Sequence, residues 1–96
     1  MTGTQRELSA LREEIDRIDE DIGDLIAERL EVAESVAEAK ASEGLDLVDE
    51  GREEAVKSHH AERFAACGLP EERGRELATF LIDVSLEREE AIDGES

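Results

Sequence analysis

Apolar residues between Leu8 and Val36 fall at Leu8, Leu11, Ile15, Ile18, Ile22, Leu25, Val32 and Val36. They advance mostly by alternating threes and fours, the spacing of one helical seam. A single long helix over about 5–42 follows, with Thr4 and Glu7 as a capping box and Gly44 as its stop. Gly23 inside it costs about 1 kcal/mol against alanine, so it is expected where another helix comes close. Asp49 is a good N-cap for a second helix over 49–66, ended by Gly68. Pro70 suits the first turn of a third helix over 70–92, with Leu77, Phe80, Leu81, Val84 and Ile92 inward. The tail Asp93-Gly94-Glu95-Ser96 is expected to fray. No strand alternation, internal repeat or low-complexity linker interrupts this pattern.

Those lengths carry a consequence for assembly. About 38 helical residues span roughly 57 Å, whereas a compact chain of this size has a radius of gyration near 12 Å. The long helix must therefore overhang its own domain. Its seam is apolar along most of that length and needs cover, which a two-fold partner most simply supplies. The expected architecture is all-α, one domain over 1–96, with one long and two shorter helices in an intertwined homodimer.

Composition narrows the function classes. Twenty-eight Asp and Glu against eleven Lys and Arg give a formal charge of −17. No basic stripe offsets it, which argues against nucleic acid and anionic membrane as partners. Only Lys40 and Lys57 are lysines, and acidic groups cover the whole length, the composition of a protein adapted to brine. At molar salt the screening length falls to roughly 3 Å and self-repulsion is suppressed. No run is long and apolar enough to span a bilayer and no signal pattern opens the chain, so a soluble, cytoplasmic protein is expected. Cys67, the lone cysteine, excludes an internal disulfide and reads as a small packing residue.

Two cations break the seam. Beyond Leu25 it reaches Arg29 and then Lys40, where periodicity asks for Leu or Ile. Eleven residues return the helix to within about 20° of one heading and rise roughly 16 Å, so the two could hold a small dianion between them. Alternatively, both side chains lie along apolar surface with their charges in water. Arg12 stands 17 residues before Arg29, about 25 Å along the axis, so only Arg12 of a partner subunit could join that pocket. His59-His60 invites a metal reading, but adjacent helical positions diverge by about 100°, and a surface or dimer-edge place is expected. Asp16, Asp19 and Asp24 read as a solvated face, and Ser85 has no His-Asp partners for nucleophilic work.

These residues resemble the all-helical (AroQ-type) chorismate mutases. The resemblance runs from Leu8 to about Ile92 and is carried by Leu11-Arg12-Glu13-Glu14-Ile15-Asp16 with Asp19, Ala27-Glu28-Arg29, Ala39-Lys40, Val48-Asp49 with Arg52-Glu53, and Ile82-Asp83-Val84-Ser85 with Glu89. Each piece is weak alone, whereas their order and separations together are specific. The resemblance implies a homodimer that rearranges chorismate to prephenate on the route to phenylalanine and tyrosine, without metal or cofactor. Arg29 and the partner's Arg12 would bind the substrate carboxylates, assisted by Arg52 and Ser85. Asp49 and Glu53 would meet the ring hydroxyl, and Lys40 with Glu89 the ether oxygen. Isochorismate pyruvate lyase activity on a similar fold, and a non-catalytic helical dimerisation module, are the alternatives.

Overall fold

The computed structural model describes residues 2–95, with side chains for residues 3–92. Three helices account for nearly all of it: α1 (Thr2–Glu43), α2 (Glu50–Ala66) and α3 (Glu71–Glu95). No strand occurs among the described residues. Helix α1 begins at Thr2, ahead of the expected Thr4–Glu7 cap, so Thr4 lies inside its first turn. Helix α3 starts just after Pro70 and continues to Glu95, through residues expected to fray; Ser96 lies outside the described residues.

The breaks between helices behave as the local chemistry dictates. Gly44 (φ 71°) and Gly68 (φ 80°) take the left-handed conformation that a side chain would strain. Past them the Leu45 amide donates to the Lys40 carbonyl at 2.8 Å and the Leu69 amide to the Phe64 carbonyl at 2.9 Å. Asp49, in extended conformation, accepts the Arg52 amide at 3.0 Å and caps α2. Cys67 sits at the end of α2 and is exposed, contrary to the packing role expected of it.

Helix α3 packs against both α1 and α2, and it does so through small residues. Ala33 and Ala37 of α1, Ala61 of α2 and Ala78 of α3 are buried, with Leu81 and Ile82 beside them. At the α2–α3 crossing a Cβ on Gly74 would overlap the His60 carbonyl and stand 2.9 Å from the Ala61 Cα. This is a backbone-to-backbone approach that only glycine allows. The inward face of α3 is thus Gly74, Ala78, Leu81, Ile82, Ser85 and Glu89. Leu77 and Phe80, expected inward, are exposed, and Val84 and Ile92 are half-buried.

Helix α1 overhangs this small core. The chain measures 64 × 28 × 14 Å with a radius of gyration of 18.0 Å, well above the value of about 12 Å for a compact chain of this length. The seam residues Leu8, Leu11, Ile15, Ile18, Ile22 and Leu25 are all exposed, between 46% and 62%. A Cβ on Gly23 would meet nothing within 4 Å, so the close approach expected there is made by neither α2 nor α3.

Candidate active site

The C-terminal third of α1, the connection to α2, the first half of α2 and the second half of α3 enclose a cavity of about 300 Å³. Its polar border is Arg29, Lys40, Asp49, Arg52, Glu53, Ser85 and Glu89, and its apolar wall includes Val32, Val36, Leu47, Val56, Ile82 and Leu86. All seven in-chain residues singled out from the sequence therefore meet in one place. Arg12 does not: it lies on the exposed part of α1, outside this cavity.

The two seam cations do not run out to solvent. Arg29 is half-buried and its Nη1 donates to the Leu81 carbonyl at 3.1 Å and to Ser85 Oγ at 2.6 Å. One edge of the guanidinium is thus fixed to α3, and its remaining N–H groups are free for a carboxylate. Ser85, 7% exposed, accepts from Arg29, which leaves its own proton to donate elsewhere. Lys40 Nζ donates to the Leu47 carbonyl at 2.7 Å. That bond ties the ammonium to the connection that delivers Asp49 and retains two of its three protons for the cavity. Beyond the cavity, ion pairs Arg88–Glu34 and Arg75–Glu54 cross from α3 to α1 and α2.

Glu89 is 7% exposed, and its Oε2 has no hydrogen-bond partner. Burial raises its pKa above the ordinary carboxylic acid value, while Lys40 and Arg29 pull it down. Desolvation wins because an ionised carboxylate loses more hydration here than the two cations return. When protonated, Glu89 is a hydrogen-bond donor on the wall of the cavity.

Sequence reasoning missed the apolar wall of Val56 and Leu86. It also placed His59 and His60 at the surface or a dimer edge. The two rings meet edge-on, 5.4 Å apart with 78° between planes, and both border a second recess together with Arg29 and Arg52. Among the described residues, no group of three or more His, Cys, Asp or Glu side chains is arranged to hold a metal ion. None of the described helices is long and apolar enough to cross a membrane.

Fold and cavity together define an all-helical domain with one pocket of mixed cationic, acidic and apolar lining. A model of the chorismate mutase type II family matches residues 11–90, and the chain belongs to that family. Among curated proteins it is similar to the T-protein of Enterobacter agglomerans, with 38% identity over 64 residues. That match covers 67% of this chain and 17% of the T-protein. No solved structure gives a significant match.

Proposed function

We propose that this chain is a chorismate mutase, converting chorismate to prephenate by an intramolecular Claisen rearrangement in phenylalanine and tyrosine biosynthesis. The observation that carries the reading is the single cavity that gathers Arg29, Lys40, Asp49, Arg52, Glu53, Ser85 and Glu89. The reaction breaks one C–O bond and forms one C–C bond within a single molecule, so no nucleophile or external proton is consumed. An enzyme accelerates it by folding the enolpyruvyl arm over the ring and by placing donors where negative charge gathers on the ether oxygen.

In this scheme Arg29, fixed by Ser85 and Leu81, grips one carboxylate through its free edge, with Arg52 assisting. Asp49 and Glu53 accept from the ring hydroxyl. Lys40 and protonated Glu89 donate to the ether oxygen. With Glu89 neutral, the three cations of the cavity outnumber its two carboxylates by one. Arg12 of the partner subunit adds a further positive charge, matching the two carboxylates of the substrate.

That contribution requires an intertwined homodimer, a reading supported by the exposed seam from Leu8 to Leu25 and by the overhang of α1. The charge of −17 supports a halophilic, salt-requiring protein, and the exposed Cys67 thiol suits a reducing cytoplasm. The test is chorismate disappearance, followed in the ultraviolet in dilute buffer and in molar KCl, with isochorismate as the parallel substrate. Prephenate formation in the salty sample is expected. Turnover of isochorismate alone, or of neither substrate at any salt, overturns the reading.

A further inference from the structure

A second recess of about 470 Å³ lies beside the first, bordered by Arg29, Arg52, Ala55, Val56, His59 and His60. Arg29 and Arg52 border both cavities, so the two share a cationic wall. In a chain with 28 acidic residues against eleven Lys and Arg, this recess has four basic side chains and no carboxylate on its border. Cations brought together without counter-charge repel one another, and an anion placed among them relieves that repulsion. At His60, burial first and then the neighbouring His59 and Arg29 hold the imidazole below the usual histidine range.

We infer that this recess is an accessory carboxylate subsite, which takes one carboxylate of the incoming dianion through Arg52, His59 and His60 before the substrate seats between Arg29 and Lys40. The inference rests on the proposed chorismate mutase reading. Capture is by contact, since at molar salt charges act over only about 3 Å. Its strength depends on pH through the groups facing the two rings. Arg29 comes from α1, Arg52 from α2, and α3 meets His60 through the backbone at Gly74 while adding no titratable side chain to the recess. As pH falls the His60 imidazole gains a proton and the subsite tightens.

The test compares a His59→Gln/His60→Gln double variant with its parent at pH 6 and pH 8, both in a Glu89→Gln background so that Glu89 titration plays no part. His59→Gln alone, at an exposed position, serves as a second variant that leaves the α2–α3 crossing untouched. The expected result is kcat within about twofold of the parent and KM raised about three- to tenfold at pH 6, shrinking toward parity at pH 8. Unchanged KM at both pH values overturns the inference. So does an equal rise at both, or a rise that follows loss of the dimer. Should the wild-type chain turn over no chorismate, the reading itself fails. The recess is then tested with malonate at fixed ionic strength: an upward move of the His60 imidazole titration supports an anion subsite, and an unmoved titration overturns it.

Discussion

At the scale of single residues, the site depends on two side chains whose surroundings define their chemistry. Glu89 is held above its ordinary pKa chiefly by burial, and only its neutral form can donate to an ether oxygen. Turnover is therefore expected to fall as pH rises through the Glu89 ionisation, and Glu89→Gln, a donor at every pH, is expected to flatten the profile. A wild-type rate constant from pH 5 to 8 would count against this role. Stability follows the same sign. A group whose folded pKa is raised favours the fold while protonated, and that contribution disappears as pH rises through the folded pKa. Chemical denaturation should accordingly show Glu89→Gln gaining on the wild type between pH 4 and pH 8. Arg29 is the second such residue. Arg29→Ala removes both the carboxylate grip and the tie to Ser85 and Leu81, and a loss on the order of 3 kcal/mol in barrier, about a hundredfold in kcat/KM, is expected. Circular dichroism checks that helicity survives, and a bicyclic transition-state mimic should no longer bind.

At the scale of elements, the crossing of α2 and α3 is the most sensitive joint. A methyl group on Gly74 would meet backbone atoms of His60 and Ala61 rather than a side chain able to swing aside. Gly74→Ala is expected to destabilise by about 1–3 kcal/mol, read as a lower Tm at fixed salt and protein concentration. The same joint explains which parts of the fold were legible in the sequence. Asp49, Gly44 and Gly68 announced the helix ends because capping is local chemistry. The seam placed Arg29 and Lys40 correctly because both point into the cavity. Periodicity misjudged the packing face itself. The core of α1 runs through Ala33 and Ala37, which hydropathy barely marks, while the larger Val32 and Val36 line the cavity. Leu77 and Phe80 failed for a related reason: an apolar residue destined for another surface looks the same in sequence as one destined for the core. Val56 and Leu86 gave no signal because a pocket wall is set by how helices cross, which no single helix encodes.

At the scale of the whole molecule, a core of a few alanines with Leu81 and Ile82 is small for 96 residues, and most of the large apolar side chains of α1 remain uncovered. Stability is expected to come from association. Ile18→Glu at the middle of the seam should leave a monomer by analytical ultracentrifugation, with much reduced helicity and no activity. Lowering KCl from molar to dilute should bring the wild type toward the same state, as repulsion within a chain of charge −17 is no longer screened. Arg12 and Arg29 ride on one uninterrupted rod, so each polypeptide would furnish an arginine to its own chamber and another to its neighbour's. Two crippled proteins could then repair each other. Mixing Arg12→Ala and Arg29→Ala chains in equal amounts and letting subunits exchange would restore about a quarter of wild-type turnover, because half the pairs are mixed and each mixed pair owns one intact chamber.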